Sequence, residues 1–248
     1  MESTMKSQSM PPALASVPAS KPTQPPDVAE NPPAAAPSIA GKIGPNALIQ
    51  TVHVLQAQAS PDEVAAVLHA CGLERLLTEM PSTMVDEQEF FDLADTLAAQ
   101  RGATETQAIL REAGRLTGDY LLAHRIPRPF QRLLHLLPRR AAMKLLMTAI
   151  RKHAWTFVGS GDFTYTLGRR PQLTIACSSN VTSAVCGFYG GTFERLFQTL
   201  VDAEAQVEMI TTPPIVRTYC VYRVLYGPQA NGPQPYGPES YRPEGEVA

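Results

Sequence analysis

Apolar and polar positions along this chain follow two different periods, and the change falls near Gly159. Before it, apolar residues recur every three or four positions, the spacing of a helix with one buried face. Ser60-Pro61-Asp62-Glu63 reads as a capping box with proline at the first helical position, and Gly72 supplies a stop. Asp86 and Glu89 repeat the cap-plus-three pattern ahead of Phe90, Phe91, Leu93, Ala94 and Leu97, and Gly102 closes that helix. A longer helix is predicted over 104–124, with Ile109, Leu110, Ala113, Leu116, Tyr120 and Leu121 on one face. Pro127 and Pro129 break it, because each disfavours the helical region for the residue before it. Two further helices are predicted near 130–137 and 139–156, with Pro138 at the joint.

Beyond Gly159 the period drops to two. Phe163, Tyr165 and Leu167 alternate with polar residues; after a turn at 168–171, Leu173, Ile175 and Cys177 do the same, which is a hairpin pattern. A helix over 189–201 and strands over 205–211 and 217–226 complete the reading. A helical first half followed by an antiparallel sheet with a packed helix makes an α+β domain.

Composition confines that domain to 41–226. Residues 1–40 hold nine prolines among Ala, Ser and Gln, and 227–248 is also rich in Pro and Gly. Neither tail can bury enough apolar surface to offset its ordering entropy, so both are expected to be disordered. The N-terminus lacks the apolar stretch of a secretory signal and no run approaches a membrane span, which predicts a cytoplasmic protein. Cys71, Cys177, Cys186 and Cys220 form no CxxC pair; they are expected to be reduced thiols, most of them buried.

Charge adds the feature with chemical content. The chain has a formal net charge of -2, yet 123–158 carries Arg125, Arg128, Arg132, Arg139, Arg140, Lys144, Arg151 and Lys152 without one carboxylate. Leu133, Leu134, Leu136, Leu137, Leu145, Leu146 and Ile150 lie between them. Three readings compete: a solvated helix face, a nucleic-acid patch, and cations rimming an apolar ligand site. The nucleic-acid reading is the weakest, since the domain as a whole is not basic and shows no nucleic-acid-binding module. The third reading suits an amphiphilic anion with a flat apolar body and carboxylates at its edge, against which Trp155 and Phe157 could stack.

Other motifs exclude more than they assign. Gly159-Ser160-Gly161 lacks the preceding strand, third glycine and following helix of a dinucleotide fingerprint, so it reads as a turn. No flavin or iron–sulfur signature, Walker loop or GxSxG is present, and the five histidines form no metal-spaced pair. His124 and His153 sit on either side of the cationic region, as solvated or capping residues or as groups facing a ligand.

Four strings carry a family resemblance: Ile43-Gly44-Pro45-Asn46-Ala47, the stretch GDYLLAHRIP from Gly118 to Pro127, the stretch KHAWTFVGSG from Lys152 to Gly161, and Phe193-Glu194-Arg195-Leu196-Phe197. Through them the chain resembles the bacteriochlorophyll-pathway 4-vinyl reductase proteins over about 43–225. The resemblance implies a small-molecule-binding domain with the fold of haem-based nitric-oxide sensor domains and vesicle-tethering subunits. It also implies a role in pigment synthesis: reduction of a vinyl group on divinyl protochlorophyllide or, alternatively, carriage of pigment precursors between pathway enzymes. The ligand would be a magnesium porphyrin or chlorophyllide precursor. Arg125 and Arg128 are then the expected carboxylate partners, His124 or His153 the axial contact to magnesium, and Trp155 the neighbour of the macrocycle. The chain departs from its relatives near the end, where their paired cysteines are replaced by 208–214 and only Cys220 remains beyond, so no structural metal is expected there.

Overall fold

The capping box read at Ser60 is present in full. The Ser60 backbone N–H donates to Glu63 Oε2 at 2.8 Å, and Glu63 N–H donates to Ser60 Oγ at 3.3 Å. This holds for the computed structural model of the chain, which describes residues 41–210 and 217–227. The predicted tails, apart from Gly227, and Pro213-Pro214 lie outside the described residues.

Strand β1 (Lys42–Ile43) leads into α1 (Asn46–Gln58), and Ser60 then caps α2 (Pro61–Ala70). Gly72, at φ +69°, ends α2 as expected, ahead of a short 3-10 turn at Glu74–Leu77. Strand β2 (Val85–Asp86) pairs antiparallel with β1. Asp86 caps α3 (Glu87–Arg101) by accepting from Gln88 N–H at 2.9 Å. Its expected reciprocal partner Glu89 is instead ion-paired to Arg75, so this cap is one-sided. Helix α4 (Ala103–His124) follows Gly102.

After the prolines come α5 (Arg128–Leu136) and α6 (Arg139–Lys152), with Pro138 as the cap of α6. The helix predicted to run to 156 stops at Lys152. The chain turns at His153, and a separate α7 (Trp155–Val158) tucks against β1, where Gly44 N–H donates to the Thr156 carbonyl at 2.8 Å. That tertiary contact overrides the helical spacing.

The second half matches the predicted hairpin. Strands β3 (Asp162–Thr166) and β4 (Gln172–Ala176) pair antiparallel with Phe163 opposite Ile175 and Tyr165 opposite Leu173. Helix α8 (Val185–Leu200) then precedes β5 (Gln206–Ile210) and β6 (Tyr219–Leu225). The sheet order is β3-β4-β6-β5, antiparallel throughout. The architecture is the α+β arrangement expected.

Helix α8 begins four residues before the predicted start, and the reason lies in α4. Gly114 and Gly118 on α4 and Gly187 and Gly191 on α8 share a four-residue spacing, and each lies against residues of the other helix. A Cβ on Gly191 would stand 2.1 Å from the Arg111 carbonyl oxygen, and one on Gly114 would stand 2.0 Å from that of Phe188. The two backbones therefore touch, and Thr192 Oγ1 bridges them by donating to the Gly114 carbonyl at 3.0 Å. Glycines that look like helix breakers in sequence permit the main helix–helix contact of the fold.

On its other side α8 covers the sheet. Phe193, Phe197, Tyr189 and Tyr222 join Phe157 and Phe163 in one aromatic cluster, with Phe193 and Phe197 stacked at 6.0 Å between ring centroids. The expectation of four reduced thiols is corrected here. Cys186 in the first turn of α8 is disulfide-bonded to Cys220 on β6, with Cα atoms 5.1 Å apart. A separation of 34 residues hides the pair in sequence; the packing of α8 on β6 creates it. Cys71 and Cys177 are free, half-buried and buried respectively.

Candidate functional site

The cationic segment spans the end of α4, all of α5 and α6, and the turn into α7. Arg125, Arg128, Arg132, Arg140, Lys144, Arg151 and Lys152 are all exposed, and none is ion-paired to a described residue. Arg139 differs: its Nη1 donates to Asp202 at 2.7 Å and its guanidinium lies 4.4 Å from the Tyr226 ring centroid.

The five residues singled out from sequence fall at two corners of the fold. At the α4–α5 corner, the His124 ring lies 4.9 Å from Tyr120, and the Arg125 guanidinium lies 5.9 Å from the same ring. Arg125 does not pair with the nearby carboxylates: Asp119 accepts from Arg195 at 2.6 Å and Glu112 from Arg115 at 3.0 Å. Arg128 starts α5, and Gln131 fixes that corner by donating to the Leu122 and Ile126 carbonyls at 2.7 and 2.8 Å. At the α6–α7 corner, His153 ends α6 and its carbonyl accepts from Thr156 Oγ1 at 2.8 Å. Trp155 is 47% exposed, whereas Phe157 turns into the aromatic cluster, so only Trp155 could meet a ligand at the surface.

A third grouping was not legible in sequence. Helix α6 and the β3–β4 turn flank an open, shallow cleft of about 430 Å³, within the range of roughly 300–1,000 Å³ for small-molecule sites. Arg140 and Lys144, one turn apart on α6, face Arg169 of the hairpin across walls of Met143, Leu167, Pro171 and Tyr226. Arg169 lies outside the cationic run, and only the hairpin's return brings it there. A second cleft, about 470 Å³ beside β5 and β6, carries Glu204 and no cation, the wrong charge for an anion.

The Gly159-Ser160-Gly161 turn is buttressed by the buried Glu87, which accepts from Ser160 N–H and Oγ. Close by lie Cys177 and Tyr189. Burial first, and then the Glu87 carboxylate, push the Cys177 thiol from its ordinary 9.0 up to about 12. Burial likewise holds the Tyr189 and Tyr222 phenols well above their ordinary range. These groups are neutral in the fold and ionise more readily once exposed. Their contribution to stability is thus complete below about pH 9 and declines as pH rises toward about 12. Urea unfolding at successive pH values should show stability falling above about pH 9, with phenolate absorbance from Tyr189 and Tyr222 appearing only on unfolding.

Among the described residues no helix is long and apolar enough to cross a membrane. No family model matches the chain. It is 40% identical over 173 residues to the bacteriochlorophyll synthase 23 kDa chain of Cereibacter sphaeroides, covering 66% of this chain and 81% of that protein. The protein of the same description from Rhodobacter capsulatus is 34% identical over 187 residues, covering 73% and 85%. A solved structure from work on haem distortion in the H-NOX family superposes on 79% of this chain and 99% of its own, with a TM-score of 0.50. At 12% identity that likeness concerns the fold alone.

Proposed function

The chain belongs to the family of the bacteriochlorophyll synthase 23 kDa chain, and on that premise we propose that it serves bacteriochlorophyll synthesis by binding a carboxylated, (proto)chlorophyllide-type tetrapyrrole. The observation that carries this reading is the cleft between α6 and the β3–β4 turn. Its apolar walls suit a macrocycle edge, and Arg140, Lys144 and Arg169 suit the carboxylates. Arginine and lysine that hold no carboxylate of their own can pair with the ligand's without breaking an existing ion pair.

A second arrangement uses the corners. Arg125 and Arg128 would take the carboxylates, His124 or His153 would approach the magnesium that the pigment itself brings, and Trp155 would lie against the ring. Its support is that all five side chains are exposed and that Arg125 is held by Tyr120 instead of by a carboxylate. Charge-assisted hydrogen bonds of this kind contribute about 1.5–3 kcal/mol, so removing the right cation should weaken porphyrin binding about tenfold or more. Titration of Arg140→Ala and Lys144→Ala beside Arg125→Ala and His153→Ala distinguishes the two sites. Unchanged affinity in all four variants removes both.

The resemblance to 4-vinyl reductases offers catalysis as one use of such binding, and delivery of the pigment between pathway enzymes is the other. Incubation with divinyl protochlorophyllide and a reductant separates them. Catalytic appearance of the monovinyl product establishes the reductase; a shifted Soret band without turnover establishes the carrier.

A further inference from the structure

Helix α5 exposes apolar surface that the fold does not use. At about 100° per residue, Pro129, Leu133 and Leu136 fall within about 60° of one another on its outer side. Leu133 is 45% and Leu136 83% exposed, and Pro129 is exposed as well. The inward side is separate: Leu134 is buried and Phe130 packs against the core. The sector adjoining the outer stripe holds Arg128 and Arg132, both exposed and without an ion-pair partner among the described residues.

We propose that α5 seats this protein on an anionic lipid surface, with Pro129, Leu133 and Leu136 entering the boundary between headgroups and acyl chains while Arg128 and Arg132 meet the phosphates. Two features of the helix select a lipid surface as occupant. A short amphipathic helix with basic flanks and a narrow apolar stripe has the form of an interfacial anchor. The charge beside the stripe is also unsatisfied, since no carboxylate occurs from 123 to 158 and neither Arg128 nor Arg132 pairs with one elsewhere among the described residues, so the stripe's basic flank complements a field of negative headgroups. Pro127 and Pro138 bracket the helix, and Gln131 ties its start to the end of α4, so the stripe is presented on a fixed support.

The inference is independent of the cleft between α6 and the β3–β4 turn and shares only Arg128 with the corner arrangement; its test contains no pigment and substitutes no residue of either site. The full-length chain is co-sedimented with phosphatidylcholine vesicles prepared with or without phosphatidylglycerol. Binding is expected only to the anionic vesicles, and it should fall as salt is raised. Leu136→Asp should reduce the partition coefficient about tenfold or more, from the lost burial of one leucine and the added negative charge. Arg132→Gln should reduce it about fivefold, the effect of one basic residue near the surface. Leu136 is too exposed to hold the fold together, and an unchanged thermal transition of Leu136→Asp verifies that. Equal binding to neutral vesicles, or anionic binding that survives Leu136→Asp, overturns the proposal. So does an absence of vesicle binding, including the case where the stripe is covered by a second copy and sedimentation equilibrium shows a dimer that Leu136→Asp dissociates.

Discussion

Gly191→Ala should destabilise the protein by about 3 kcal/mol, the upper end of what overpacking a well-filled contact usually costs. The added methyl would stand 2.1 Å from the Arg111 carbonyl oxygen and 3.1 Å from the Arg115 nitrogen. Both are backbone atoms of α4, so no side-chain rotation relieves the clash and the two helices must separate. Separation would also break the Thr192 bridge to Gly114 and disturb the packing of α8 on the sheet at its other side. A loss of this size is a large part of the roughly 5–15 kcal/mol that stabilises a typical domain. Gly72→Ala gives the contrast. Its φ is +69° but nothing lies within 4 Å of the new atom, so only the conformational cost of about 1 kcal/mol applies. Urea midpoints should rank Gly191→Ala well below Gly72→Ala; the reverse order would mean that α4 and α8 do not meet through their glycines.

Reducing the Cys186–Cys220 bond should have an effect of comparable size. A cross-link closing 34 residues restricts the unfolded chain by an amount between the ~3 kcal/mol of a 15-residue loop and the ~4.7 kcal/mol of a 100-residue loop. The bond joins the first turn of α8 to a central strand, and Tyr222 on that strand also donates from its hydroxyl to the Cys186 carbonyl. Wild-type protein should therefore unfold at lower urea with dithiothreitol than without it. Cys220→Ala should be insensitive to the reductant and should resemble the reduced wild type. Unfolding of wild type that ignores dithiothreitol, with a mass already equal to that of the dithiol form, would show that the thiols are not joined in the isolated protein.

How much of this was legible beforehand depended on how local each signal was. The Ser60 cap, the stops at Gly72 and Gly102 and the alternation of Phe163, Tyr165, Leu173 and Ile175 are all written within a few residues. Each appears in the structure where the sequence put it. The break at His153 was not legible, because 139–156 keeps its helical spacing and the turn is set by α7 reaching β1. The start of α8 was misplaced by one turn, where Gly187 carries low helical preference and only the close approach of the α4 backbone at Gln107 gives it a purpose.

The candidate site divides in the same way. Local composition sufficed to mark 123–158 as a cationic and leucine-rich segment, and the resemblance carried by GDYLLAHRIP and KHAWTFVGSG pointed to bacteriochlorophyll synthesis, the process named in the relatives' own description. Which cations are already engaged was a tertiary matter. Arg139 is taken by Asp202 from beyond α8, while Arg125 lies over Tyr120 and Asp119 is paired with Arg195.

By itself, then, the sequence determined the α+β class, most of the helices and the four-stranded sheet's strands in their order, and the place of the cationic segment, though not β1, α1 or β2. These follow from periodicity, caps and composition, which act between neighbours in the chain. Only the tertiary structure decided that Cys186 meets Cys220, that Arg169 joins Arg140 and Lys144 around one cleft, and that Leu136 faces outward while Leu134 faces the core. Those outcomes depend on which surfaces approach one another after the chain has folded back, and the spacing of residues along it does not encode that approach.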